Sequence, residues 1–86
     1  MDIFVKYNKR ITMISLESKN NEDTEIVIEK FLDYLKSSNL SNEAWIRKGK
    51  NKFIVKEEKF YFILDIIENN FNVLSSNIFE NNLNKK

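Results

Sequence analysis

The sequence TEIVIEKFLDYLKS, residues 24–37, has the spacing of an amphipathic helix. Asp23 is a candidate N-cap, Glu25 lies in the first turn and Lys36 near the end, where the helix dipole favours each charge. The apolar side chains recur at helical intervals and share one face: Val27, Ile28, Phe31, Leu32 and Leu35. We predict that a sheet packs on this face.

The residues before this helix predict a β-hairpin. Asp2–Tyr7 and Ile11–Glu17 are rich in β-branched and aromatic residues, and the polar tripeptide 8–10 separates them. Asn8 is the candidate for a positive φ in that turn. Strand alternation divides the side chains between two faces, and we predict that four of them face the core: Ile3, Val5, Ile14 and Leu16.

The residues after the helix predict a second hairpin, Ala44–Lys48 and Lys52–Lys56, joined through Gly49. Gly49 is the only glycine in the sequence, which favours a backbone conformation that other residues resist. Trp45 and Ile46 point to opposite faces, so we expect one to be buried and the other exposed.

Residues 57–70 fit two interpretations. Phe60, Ile63, Leu64 and Ile67 have helical spacing, but the run is also dense in residues that favour strands. We favour a helix because the run exceeds a normal strand and Glu57 and Glu58 suit a helix start. Residues 71–74 then form a short final strand, and residues 75–86 a short helix or a flexible tail.

Together these elements predict one α+β domain over residues 1–74. Two β-hairpins and a short final strand form a small sheet, which packs on one amphipathic helix, with a second helix near residues 57–70. With 86 residues and 42% apolar residues, the chain has enough apolar side chains for one small core.

The composition excludes several kinds of chemistry. The sequence has no Cys, His or Pro, so it offers no disulfide, no Cys/His metal site and no thiol or imidazole catalysis. Asp65 is the one acid within an apolar run, and on the helix interpretation it faces solvent. We therefore predict a non-enzyme with no cofactor, no metal and no catalytic residues.

Charge is distributed unevenly, although the net charge is only +1. Residues 17–33 carry six acids and two bases, whereas residues 47–56 carry five bases and no acid. The acids Glu22, Glu25, Glu29 and Asp33 form a stripe that we interpret as a solvated helix face. The sequence shows neither a signal peptide nor a run of about 20 apolar residues, so we expect a cytoplasmic protein that does not bind membranes.

Several short segments resemble the ubiquitin-like (β-grasp) superfamily. The start, with Ile3-Phe4-Val5-Lys6 after Met1, is similar to the first strand of ubiquitin, and Asp23-Thr24 to the dipeptide that begins its helix. Ile46-Arg47-Lys48-Gly49-Lys50 resembles its third strand, and Phe71 and Val73 match core positions of its last strand. The resemblance implies a β-grasp fold and a role in protein binding.

The same resemblance also implies what this chain lacks. Conjugated members of the superfamily end in Gly-Gly, whereas this sequence ends Asn84-Lys85-Lys86, so we do not expect a conjugated modifier. In the apolar recognition patch of the family only Ile46 remains apolar, because Asn8 or Lys9 and Asn72 replace the other members. Partners of the ubiquitin type are therefore not implied.

We predict a small protein-interaction module that regulates or inhibits another protein. An exposed apolar side chain rimmed by charge is a reasonable centre for an interface. The candidate protein-binding residues are Phe4, Ile46, Arg47, Lys48 and Lys50.

The alternative is a nucleic-acid-binding protein that uses the basic hairpin, residues 47–56. Its further candidate contacts are Lys6, Lys9, Arg10, Lys52 and Lys56. Self-association through a sheet edge, or through the apolar face of residues 60–71, is a third alternative.

Overall fold

The structure is a computed structural model, and it describes residues 1–40 and 42–76. The described chain forms five strands and two α-helices, which confirms the α+β class with both hairpins, the final strand and the second helix. In chain order the elements are β1 (Asp2–Asn8), β2 (Met13–Ser18), α1 (Thr24–Ser37), β3 (Trp45–Arg47), β4 (Lys52–Val55), α2 (Phe60–Asn70) and β5 (Asn72–Ser76).

The five strands form one mixed sheet in the order β3-β4-β2-β1-β5. All neighbouring strands are antiparallel except β1 and β5, which run parallel. Ile3 of β1 lies between Ser18 of β2 and Val73 of β5, and a bulge follows at Leu74. The second hairpin therefore extends the first one at β2, while β5 is added at the opposite edge.

Both helices pack on one face of this sheet, and strand alternation decides which side chains they meet. Ile3, Val5, Ile14 and Leu16 are buried there, as predicted, and belong to the same core as the apolar face of α1. The ring of Phe31 meets the ring of Phe53 edge to face, with 5.1 Å between their centres. The core is thus a helix layer on a sheet.

The structure settles the ambiguity of residues 57–70 in favour of a helix. Glu57–Lys59 form one 3-10 turn, and α2 begins at Phe60. Its 3.6-residue period buries one face in the core and leaves Asp65 exposed, as predicted. That buried face includes Phe60, Ile63, Leu64, Ile66 and Ile67. The face of residues 60–71 suggested for self-association is therefore largely enclosed by the fold, whereas self-association through a sheet edge stays a prediction.

Two local predictions about turns are wrong. Gly49 does not have a positive φ, and a Cβ at this position would have no described neighbour within 4 Å. In the first hairpin the residue with positive φ is Thr12, at 49°, and not Asn8. Asn8 instead continues β1 by pairing with Met13, and its Oδ1 accepts a hydrogen bond from the Arg10 backbone N–H at 3.1 Å.

Three further predictions concern individual positions. Asp23 precedes α1, as predicted, but its side chain makes no capping hydrogen bond. Trp45 is half-buried and Ile46 is 58% exposed, so Trp45 is the residue that faces the core and Ile46 the one that faces solvent. The boundary predicted after residue 74 falls inside β5, which continues to Ser76; residues 77–86 of the predicted tail lie outside the described residues.

The C-terminus of α1 is closed by a Schellman motif. Asn39 has φ 60°, its N–H donates to the Lys36 carbonyl at 3.1 Å, and the Leu40 N–H donates to the Leu35 carbonyl at 3.3 Å. Leu40 then packs against the core. The left-handed conformation at residue 39 thus satisfies two carbonyl groups that a helix end leaves open.

We expect Asn39→Ala to lower the free energy of unfolding by about 1 kcal/mol, because a Cβ without a local hydrogen-bonding group disfavours the left-handed conformation. Asn39→Gly should raise it by about 0.5 kcal/mol. Urea denaturation followed by the fluorescence of Trp45, the single tryptophan, measures both. Equal losses in the two variants would contradict this account, because they would assign the effect to the side chain and not to φ.

Candidate functional site

The sheet face opposite the helices carries a distinct set of side chains, and we call it the open face. The strand register places these side chains in rows across β1, β2, β4 and β3. Its members are Asp2, Phe4, Lys6, Asn8, Met13, Ser15, Glu17, Ile46, Lys48, Lys52 and Ile54.

One row of the open face is apolar. Ile46 pairs with Ile54, and Ile54 pairs with Met13, so three strands in succession present aliphatic side chains. Ile46 is exposed, while Ile54 and Met13 are half-buried. We call these three residues the apolar row. At a strand spacing of about 5 Å, it extends roughly 10 Å across the sheet.

The adjacent row is basic. Lys6 pairs with Ser15, and Ser15 pairs with Lys52. The Lys48 N–H donates to the Lys52 carbonyl at 2.8 Å, which places Lys48 next in line. All three lysines are exposed, and among the described residues no acidic oxygen lies within 4.0 Å of their Nζ atoms. We call Lys6, Lys48 and Lys52 the lysine row.

Phe4 lies apart from the apolar row. It is half-buried, it pairs with Glu17, and it occupies the far side of the lysine row. From Ile46 it is separated by three strand spacings and about four residues along the strands, roughly 20 Å in all. The structure therefore places both predicted contact residues on the open face, but at opposite corners.

Arg47 and Lys50, two other predicted contact residues, do not belong to the open face. The Arg47 guanidinium donates to the carbonyl oxygens of Gly49 (3.0 Å) and Lys50 (2.7 Å). It also lies 5.9 Å from the centre of the Phe53 ring. Lys50 forms an exposed ion pair with Glu25 of α1 at 3.6 Å. Arg47 therefore organises its own hairpin turn, and Lys50 joins that hairpin to the helix layer.

The five candidate nucleic-acid contacts do not all lie on one surface either. Lys6, Lys9 and Lys52 line one depression on the open face, together with Ser15 and other neighbours. Arg10 lies in the turn after β1, and Lys56 follows β4 beside Glu57 and Glu58. The structure thus brings three of these five cations to one place.

Sequence reasoning did not select Met13, Ser15 or Ile54. Strand alternation could have found them, since each of these residues alternates with a core residue along its strand. Alternation does not predict that β2 pairs with β4, and this pairing aligns Met13 with Ile54 and Ser15 with Lys52.

Tyr7 is the described group with a shifted pKa, and it lies on the helix side of the sheet. Burial raises the pKa of its phenol, and the Glu57 carboxylate and the Tyr61 phenol raise it further. Its ring stacks on Phe60 with 4.2 Å between the ring centres. Tyr7 is therefore a neutral packing residue at physiological pH.

Comparison with protein-family models, curated proteins and solved structures finds no match for this chain. Within residues 1–40 and 42–76, neither helix combines the length and the apolar character needed to cross a bilayer. The same residues contain no cluster of three or more acidic, His or Cys side chains arranged to hold a metal ion.

Proposed function

We propose that this chain is a non-catalytic interaction module that binds an acidic segment of another protein on its open face and thereby regulates or inhibits that protein. The observation that carries the proposal is the position of the apolar row directly beside the lysine row. Apolar side chains at the centre of an interface exclude water, while surrounding charges select the partner and steer its approach.

The dimensions of the open face favour a short segment over a globular partner. Four strands by about six residues cover roughly 20 by 20 Å, which is only about half of the roughly 800 Å² that each partner buries in a standard interface. A segment with one or two apolar side chains flanked by Asp or Glu would match both rows.

The composition of the open face favours a protein over a nucleic acid. Single-stranded nucleic acids stack their bases on aromatic side chains, whereas the apolar row is aliphatic and Phe4 lies roughly 20 Å from Ile46. The guanidinium of Arg47, which would suit phosphate recognition, is held by the hairpin carbonyls.

The relationship to the ubiquitin-like superfamily stays a prediction. It is supported by the parallel pairing of β1 with β5 and by a helix that presents Val27, Phe31 and Leu35 to the sheet. The second hairpin departs from the β-grasp order, because it pairs with β2 and not with β5.

Affinity capture from the cells that produce the protein tests the proposed function. We expect the wild type to capture a specific protein, and Ile46→Ser/Ile54→Ser to lose it at least tenfold, because two apolar contacts are removed. Ile26→Ser is the matched control, since Ile26 is 44% exposed on α1, on the other side of the molecule. It should capture the partner as well as the wild type does.

Two outcomes would contradict the proposed function. If both variants retain the same partner, the open face does not bind it. If capture is abolished by nuclease, and binding to single-stranded DNA weakens steeply as salt is raised, phosphate contacts dominate and the nucleic-acid alternative replaces the protein partner.

A further inference from the structure

The lysine row borders a depression that has the features of an anion site. Lys6, Lys9 and Lys52 surround it, and Met13 and Ser15 lie among its lining residues. Lys6 and Lys52 are both cross-strand neighbours of Ser15, so their Cα atoms are about 10 Å apart. Because each lysine side chain is long and flexible, both ammonium groups can reach an ion located above Ser15.

The depression also offers neutral donors. Ser15 is half-buried, and the strand register places it between the two lysines. Asn8 lines the same depression, and its Oδ1 is occupied by the Arg10 N–H. That contact directs the acceptor of the carboxamide to the turn and leaves its NH₂ group as the free donor. No acidic side chain is among the described residues that line the depression.

This set of donors fits a phosphate monoester better than a carboxylate. Three ammonium groups are best balanced by a charge near −2, which a phosphorylated side chain carries at pH 7 and a carboxylate does not. Ammonium groups act as point charges from several directions, which suits a tetrahedral oxyanion, whereas a planar carboxylate is matched by the fork of an arginine.

We infer that the depression lined by Lys6, Lys9, Ser15 and Lys52 binds the phosphate group of a phosphorylated side chain. This inference rests on the proposed function, because it places that side chain on the acidic segment that binds the open face. Phosphorylation of the partner would then control its binding: the segment binds when phosphorylated and is released when the phosphate is removed.

Titrations of the ¹⁵N-labelled full chain test the site directly. Inorganic phosphate, added at constant ionic strength against chloride, should shift the amide resonances of Lys6, Ser15 and Lys52 in a saturable manner. Lys52→Gln should weaken this binding at least tenfold. Lys36→Gln, on the helix side, is the control and should leave it unchanged. Absence of saturable shifts, or equal weakening by both variants, would overturn the inference.

Three probes then distinguish the source of the phosphate: a short acidic peptide with one phosphoserine, the same peptide with Glu at that position, and a single-stranded oligonucleotide. We expect the phosphopeptide to bind at least tenfold tighter than the Glu peptide, and its advantage to shrink between pH 7.5 and 5.5 as the phosphate gains a proton.

Two contrary results of these titrations would lead to different conclusions. Equal binding of the two peptides would overturn the phosphate site while leaving the proposed function intact. Tighter binding of the oligonucleotide at the same residues would overturn both, because it would assign the depression to a nucleic-acid backbone.

Discussion

Phe53→Ala should lower the free energy of unfolding by about 3–5 kcal/mol, the largest effect that we expect from a single substitution. Phe53 is 0% exposed on β4. Its ring makes edge-to-face contacts with Phe31 at 5.1 Å and with Trp45 at 5.8 Å. The substitution removes the ring that joins the sheet to α1, and the surrounding side chains can fill the cavity only in part.

This loss is large relative to the total free energy of unfolding of a chain of this size. At about 0.05–0.15 kcal/mol per residue, 86 residues give a total of roughly 4–13 kcal/mol. Urea denaturation followed by far-UV circular dichroism measures the change without relying on Trp45, whose surroundings also change. Phe62→Ala is the matched control, because Phe62 is 49% exposed on α2. Equal losses in both variants would show that the core is not centred on Phe53.

Lys6→Glu/Lys52→Glu should reduce binding of the captured partner at least a hundredfold. Each substitution replaces an attraction to an acidic segment with a repulsion, and both act on adjacent parts of one surface. The fold should tolerate the change, because both side chains are exposed. Isothermal titration calorimetry measures the affinity, and urea denaturation verifies the stability.

The matched control for the double reversal is Lys30→Glu/Lys59→Glu. It changes the net charge by the same amount, but at exposed positions in α1 and in the turn before α2. If this control lost as much affinity as the open-face variant, the net charge of the protein would govern binding, and the arrangement of the lysine row would have no specific role.

Local sequence patterns predicted the elements well. Helix α1 spans residues 24–37, as its amphipathic period indicates, and alternation selected the four core residues of β1 and β2. Both signals are local, because helical period and strand alternation depend only on residues that are close together in the sequence. The turn predictions at Asn8 and Gly49 were wrong because a turn conformation depends on how the flanking strands pair, and not only on which residue tolerates a positive φ.

The candidate site was predicted in part. Alternation separated Lys6 and Phe4 from the core, and it separated Ile46 from Trp45. It could not predict the contacts of Arg47 with Gly49 and Lys50, because these contacts depend on the closed hairpin. Nor could it align the apolar row, because the pairing of Met13 with Ile54 joins residues that are distant in the sequence.

The position of β5 has a consequence for how the chain acquires its structure. β1 meets β2 across a short turn, but Asp2 meets Asn72 only after the intervening residues have been arranged. Contacts between distant residues form slowly, because loop closure reduces chain entropy before they contribute any stability. Until β5 pairs with β1, one edge of β1 presents unpaired amide and carbonyl groups, with which strands of other molecules can pair. Nascent or refolding chains are therefore most prone to aggregate through β1.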